Sequence, residues 1–394
     1  MVKKDFIKSY KLNLKILSPV HIGDGKDNVK KTEYIFDKEN SQLLFPDQRL
    51  FADFLEKQKH TDNFCCFIQG SPQNGLKEWL DKQGLGRNRY EKFCSYALDM
   101  TSNIDEIEKL NDVCLFIKDK DSRPYIPGTS IKGALRTAII WKSILDNNKA
   151  FGAKYWERMK KSLLACQNRN EEKRAIRDLK GIIDQIQKDV FYKIEFQKGR
   201  QATKISNDIF RAVTVSDTKS IDNNNLLLVQ KKDFVVNDKK ELAISSLPIF
   251  RESLKPGCET EVVISLDDTF LKLTETYKNF SIEDILSALE SMSNFYNENI
   301  VSYADLHPDI VTNITLKGNV NIGAGTGYLI KTLPYILAPN IKDAVHPVRS
   351  YMDYKFKKAK HMLKDKIISP RTFKMGYVDG NPLELGWCRL EVKK

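Results

Sequence analysis

The sequence is poor in the residue patterns that most often carry chemistry. Its 394 residues hold 5 histidines, at positions 21, 60, 307, 346 and 361. No H-E-x-x-H and no other paired metal-ligand spacing joins them, and no G-x-S-x-G nucleophile turn is present. The 7 cysteines (65, 66, 94, 114, 166, 258, 388) are scattered, odd in number and without a C-x-x-C pair. That argues against a disulfide framework and against a cysteine zinc site; most of them read as small buried apolar residues. Long apolar runs are missing as well. "LLLV" (226–229) is typical of what there is, far below the ~20 residues needed to cross a bilayer. The N-terminus "MVKKDFIKSYKLNLKIL" lacks an uninterrupted apolar core, so it does not read as a signal peptide, and a cytoplasmic location is expected.

What is abundant is positive charge. The net charge is +12, with pI near 9.1, 41% hydrophobic and 29% charged residues. A basic excess of this size favours a polyanion, either nucleic acid or an anionic membrane surface. With no membrane segment visible, nucleic acid is the better fit. The bland alternative is coding bias and solvated lysine faces. The apolar content can fill real cores, and the length suggests two domains, with room for an insertion.

In "YKLNLKI" (10–16), Tyr10, Leu12, Leu14 and Ile16 alternate with polar residues, the period of a half-buried strand. It ends in the glycine loop "SPVHIGDG". Residues 32–47 read as a hairpin turning at Lys38-Glu39-Asn40, and a helix begins after Asp47. Residues 60–110 suggest short helices. In 151–195, Trp156, Met159 and Leu163 form one helical stripe, and Ile176, Leu179, Ile183, Ile186 and Val190 form another. This predicts a helical hairpin, inserted at about 145–200. "DIFRAVTVSDT" (208–218) and "ETEVVISLD" (259–267) read as strands. The polar, turn-rich stretch 220–240 suggests a boundary, giving modules 1–219 and 220–394. Ser281 and Asp284 have capping-box spacing before the helix 281–300. A strand then leads into the glycine-rich "NIGAGTGYLIKT", and "LGWCRLEVKK" closes the chain as a strand docked into a sheet. "VHIGDG" at Val20 is echoed by "VNIGAG" at Val320. Strands and helices without sustained βα alternation favour an α+β fold.

The most informative stretch is "YIPGTSIKGALRTA" (125–138). Gly128 allows a turn that side chains forbid, and Thr129 or Ser130 can cap the helix that follows. Free N–H groups at a helix start form an anion site, and Lys132 and Arg136, four apart, share a face beside Gly133. An ordinary capped helix with two solvated cations is an equal reading. A nucleotide P-loop is excluded, because Ala134-Leu135 stand where Lys-Ser/Thr is required. In the late loop, Gly323, Gly325 and Gly327 alternate before Lys331. Tyr328 stands where a dinucleotide fingerprint needs glycine; the loop can form an anion nest, and ordinary tight turns are the alternative use of its glycines. His21, with Asp24 and Asp27 nearby, is the best candidate for a general base in RNA cleavage, although a hydrogen-bonded structural or RNA-contacting role is the commoner use of such a residue. In "SYMDYKFKKAKHMLKDK" (350–366), Tyr351, Tyr354 and Phe356 interleave with lysines. That would suit single-stranded RNA, but the lysine-rich outer face of an amphipathic helix is the preferred reading for most of these lysines.

"SPVHIGDG", "YIPGTSIKGALRTA", "FRAVTVSDT" and "NIGAGTGYLIKT", in that order, resemble the RAMP superfamily of CRISPR RNA-binding proteins. The length, the 151–195 helices and the closing strand look most like the terminal subunit of type III-A (Csm) effector complexes, which caps the 3′ end of the CRISPR RNA. The resemblance implies two ferredoxin-like (RRM-like) modules and no cofactor. It implies RNA held by His21, Gly23, Gly128, Ser130, Lys132, Gly133, Arg136, Arg211, Gly323, Gly325, Gly327 and Lys331. The partners implied are CRISPR RNA and target RNA, other Csm subunits, above all the repeating backbone subunit, and host nucleases. It implies no catalysis by this chain. A RAMP-type, metal-independent endoribonuclease using His21 is the alternative. Guide pairing leaves the protein only backbone and shape to grip.

Overall fold

The computed structural model describes residues 6–70, 74–101, 110, 112–194, 205–236, 242–304 and 317–393. His307 and residues 314–316, at the start of the strand expected to lead into the glycine-rich loop, lie outside them. The strands are β1 (Ile7–Ile16), β2 (Val29–Lys30), β3 (Ile35–Asp37), β4 (Gln42–Pro46), β5 (Cys94–Met100), β6 (Asp112–Cys114), β7 (Val213–Val215), β8 (Leu226–Val236), β9 (Leu242–Leu254), β10 (Glu259–Asp267), β11 (Val320–Asn321), β12 (Thr372–Val378), β13 (Asn381–Glu384) and β14 (Trp387–Val392). The helices of seven or more residues are α1 (Gln48–Lys57), α2 (Thr61–Gln69), α3 (Leu76–Lys82), α4 (Gly128–Asp146), α5 (Asn148–Ala165), α6 (Glu172–Phe191), α7 (Ile282–Phe295) and α8 (Ile341–Lys355).

β1 alternates as its sequence dictates. Leu12, Leu14 and Ile16 are fully buried, each contributing about 2 kcal/mol of apolar burial. It lies at the centre of a five-stranded antiparallel sheet ordered β11-β14-β1-β10-β7, so the last strand of the chain docks beside the first. The second sheet runs β2-β6-β9-β8-β5-β4-β3, with β12 paired to β8 and β13 to β12. The whole is α+β.

Local chemistry sets most boundaries as expected. The hairpin turns between Asp37 and Gln42, and the Asp47 carboxylate accepts from the N–H groups of Arg49 and Leu50 at 3.0 and 2.9 Å to start α1. Ser281 and Asp284 form the capping box of α7. α5 and α6 form the helical hairpin, with Trp156, Met159, Leu163, Leu179, Ile186 and Val190 buried.

Three expectations need correction. Residues 220–240 are not turn-rich throughout: β8 runs through them and pairs with β9, β5 and β12, and each sheet draws strands from both sides of residue 220. Of 208–218, only Val213–Val215 is strand; Ile209–Ala212 is a 3-10 turn started by the Asp208 side chain. Ile183 is 41% exposed, because Ile182 takes the buried position on α6.

Candidate nucleic-acid interface

Pro127 leads directly into α4, and neither Thr129 nor Ser130 caps it. The Gly128 N–H instead donates to the Asp217 carboxylate at 2.8 Å. One residue on, Thr218 N–H donates to the Ile126 carbonyl at 3.0 Å and its hydroxyl accepts from Ile126 N–H at 2.9 Å. The "VSDT" of 215–218 thus clasps the helix entry. Gly128 is needed for that approach rather than for a special dihedral, since a Cβ there would come closer than 3.0 Å to the Val215 and Ser216 carbonyls. The expected anion position at the helix start is filled from within: positive N–H groups attract a carboxylate, and Asp217 provides one.

Lys132 and Arg136 also face inward. Lys132 Nζ donates to the Val213 carbonyl at 2.6 Å and lies 5.5 Å from the Phe210 ring centre, and burial lowers its pKa. Arg136 pairs with Asp208 at 2.9 Å and stacks over Phe191 at 4.0 Å. Together they fasten the 208–215 segment to α4. Arg211 is exposed, stacks over Phe270 at 4.8 Å and lies outside the groove described next.

The other face of α4 opens on a groove of about 430 Å³, which brings together Gly23, Ser130, Gly133, Asn321, Gly323 and Lys331. The structure therefore unites the first loop, the mid-chain motif and the late glycine loop, while leaving Lys132, Arg136 and Arg211 elsewhere. Gly133 leaves open space: a Cβ there meets nothing within 4 Å. Lys331 is exposed at the rim, and among the described residues its side chain has no ion-pair or hydrogen-bond partner. Crowding by the surrounding protein lowers its pKa. The Asn321 amide donates to the Leu385 carbonyl at 3.0 Å while its own oxygen is buried without a partner among the described residues.

The glycine loop is built on positive backbone dihedrals, φ +90, +78 and +87° at Gly323, Gly325 and Gly327. At Gly323 a side chain would also strike the His21 carbonyl, which accepts from Ala324 N–H at 2.8 Å. The two echoing loops are thus in contact. His21 itself is 6% exposed; its Nδ1 lies 2.7 Å from the Glu252 carbonyl and its ring meets Phe116 edge-on. Burial pushes its pKa down to about 4 against that hydrogen bond, and the Arg251 charge adds to the lowering. At neutral pH the ring is neutral, with Nδ1–H donating to the carbonyl.

Sequence reasoning missed the cations beside the glycine loop. Arg251 Nη1 lies 3.4 Å from the Ala324 carbonyl. Lys374 packs against Gly327 and shares Asp233 with Lys231, at 2.9 and 2.8 Å. Their only linear signal is a basic residue on a strand; pairing of β8 with β12 is what sets Lys374 opposite Asp233. Among the described residues, no group of three or more metal-ligating side chains assembles, and no helix is long and apolar enough to cross a membrane.

A single sheet-and-helix body in which two glycine loops meet over the start of a central helix defines a class. The chain belongs to the RAMP superfamily, whose profile matches residues 13–329. It is similar to the CRISPR system Cms protein Csm5 of Streptococcus thermophilus, 28% identical over 340 residues, covering 84% of this chain and 82% of that one. It is also similar to the protein of the same description from Mycobacterium tuberculosis (strain ATCC 25618 / H37Rv), 26% identical over 418 residues and covering 99% of each. Among solved structures, it matches a chain of a cryo-EM Csm–crRNA–target RNA ternary complex of a type III-A CRISPR-Cas system, with TM-score 0.63, 18% identity and coverage of 98% of this chain and 100% of that one. The crystal structure of T. onnurineus Csm5 matches with TM-score 0.57 and 18% identity, over 96% and 99% of the two chains. These structural likenesses establish the fold.

Proposed function

We propose that the chain is an RNA-binding subunit of a type III-A CRISPR ribonucleoprotein. It grips the CRISPR RNA backbone near its 3′ end, caps the row of repeating backbone subunits, and supports 3′-end maturation in antiviral defence. Its partners are CRISPR RNA, target RNA held through the guide, the other Csm subunits and host nucleases. The observation that carries this reading is the groove lined by Ser130, Gly133, Gly323 and Lys331, whose side chain has no partner among the described residues. Open backbone, small side chains and a free cation suit a phosphodiester chain read by shape rather than by base. Similarity over nearly the whole chain to proteins described as Csm5 supports the same conclusion.

The burial of His21, its hydrogen bond to the Glu252 carbonyl and its low pKa favour a structural role over that of a general base. The reading is therefore non-catalytic. Assembly of the complex around wild-type chain or Lys331→Glu tests it. The variant should retain less CRISPR RNA, with 3′ ends of ragged length, and lose it at lower salt. Full retention with a defined 3′ end would refute the assignment. Incubation of the purified chain with precursor RNA in EDTA should yield no site-specific product; a product abolished by His21→Ala would establish the endoribonuclease instead.

A further inference from the structure

The basic, tyrosine-bearing segment 350–366 contributes nothing to the groove at the glycine loop. It borders a different one. α5 packs against both α6 and α8, and a groove of about 430 Å³ runs between those two helices. We propose that this groove is a second site for single-stranded RNA, taking unpaired bases against Tyr351, Tyr354 and Ile183 and their phosphates on Lys180, Lys355 and Lys357. The proposal rests on the reading of the chain as an RNA-binding subunit.

Tyr351 and Tyr354 stand three apart on α8, hence on one face, with ring centres 6.4 Å apart and planes at 37°. Both are half-buried, so each ring is held yet shows an accessible side. The Tyr354 hydroxyl donates to Glu172 Oε1 at 2.7 Å, which fixes the ring to α6 and engages the one carboxylate lining the groove. Lys180, Lys355 and Lys357 are exposed, and among the described residues none of them has a carboxylate partner. Ile183 belongs by periodicity to the apolar stripe of α6 and yet is 41% exposed, its side chain lining the groove. Aromatic faces, an uncovered aliphatic wall and unpaired cations along one groove match what an unstacked strand presents: flat bases and a regular row of phosphates. A duplex hides its base faces and gains only the lysines. An acidic protein segment likewise gains only the lysines.

The test uses the full chain with a 4-thiouridine-containing oligouridine, by photo-cross-linking with peptide mapping and by fluorescence anisotropy at fixed salt. Cross-links are expected on the peptide carrying Tyr351 and Tyr354, separately from those near Gly323. Lys355→Glu with Lys357→Glu, both at exposed positions, should weaken oligouridine binding about tenfold and remove the first set of cross-links while leaving the second. Tyr354→Leu should also remove the first set; if that variant does not fold, the lysine pair decides alone. Cross-links near Gly323 with none at the tyrosines would overturn the proposal and leave the glycine-loop site standing. Cross-links at neither would overturn both. Equal affinity for an RNA duplex, or equal competition by polyglutamate, would also overturn it, because stacking would then play no part.

Discussion

Gly133 offers the sharpest separation of stability from function. It sits inside α4, where glycine is about 1 kcal/mol less favourable than alanine. A Cβ at this position meets nothing within 4 Å, so Gly133→Ala adds helix propensity without collision. The expected result is a melting temperature raised by about 1 °C, read by circular dichroism, since ~1 kcal/mol moves a chain of this size by roughly that much. The open space is the groove itself, so a larger side chain should fold and still obstruct a ligand. Gly133→Leu is expected to melt near the wild-type temperature and to bind single-stranded RNA about tenfold more weakly, ~1.4 kcal/mol, in anisotropy at fixed salt. A folded Gly133→Leu with full affinity would remove the groove from the RNA site. A destabilised Gly133→Ala would show that the space beside it is already filled.

The neighbouring glycine should behave oppositely. Gly128→Ala drives a Cβ into the Val215 and Ser216 carbonyls and should cost about 2 kcal/mol or more in urea denaturation; a neutral result would refute the close-approach argument. Arg136→Ala removes the pair with Asp208 and the stack on Phe191, so it should lower stability by about 1–2 kcal/mol and leave the salt dependence of RNA binding unchanged. Lys331→Ala should do the reverse, keeping the melting temperature and reducing the slope of log affinity against log salt by about 1. Burial lifts the Glu384 carboxyl to about 7, against hydrogen bonds from Tyr296 and Trp387 at 2.6 and 2.7 Å that favour the ionised form. Between its ordinary value of 4.5 and about 7, the folded chain holds a proton that the unfolded chain has released, so stability falls as pH rises through that window. Glu384→Gln should flatten that decline in melts from pH 5 to pH 8; an unchanged slope would assign the effect to other groups. His21 acts in the other direction. With its folded pKa near 4 and an ordinary value of 6.5, its contribution is lost as pH falls through that interval.

Elements whose signals are local were legible from the chain alone. The alternation of Leu12, Leu14 and Ile16, the cap at Asp47, the box of Ser281 with Asp284 and the two stripes of the helical hairpin each depend on residues within a few positions of one another. β8 was misread because strand pairing, not composition, makes it a strand: "NNNLLLVQKKDFVV" looks polar and broken until β9, β5 and β12 supply its hydrogen bonds. The candidate site was legible in part. Gly23, Ser130, Gly133, Gly323 and Lys331 converge on one groove, whereas Arg251 and Lys374 reach the glycine loop only because distant strands are paired.

The sequence by itself determined the basic character of the protein, its α+β make-up, the order of its motifs and the glycine positions. These follow from residue type and from spacing shorter than a helical turn or two. Only the tertiary structure decided what each charge is for. A lysine or arginine on a helix can face solvent, a ligand or a carbonyl of its own chain, and linear spacing does not distinguish these. Folding placed Asp217, Asp208 and the Val213 carbonyl against the helix start, so Gly128, Lys132 and Arg136 became parts of a clasp. Lys331 was left without a partner across the groove from Gly133, since no acid of the described chain reaches it.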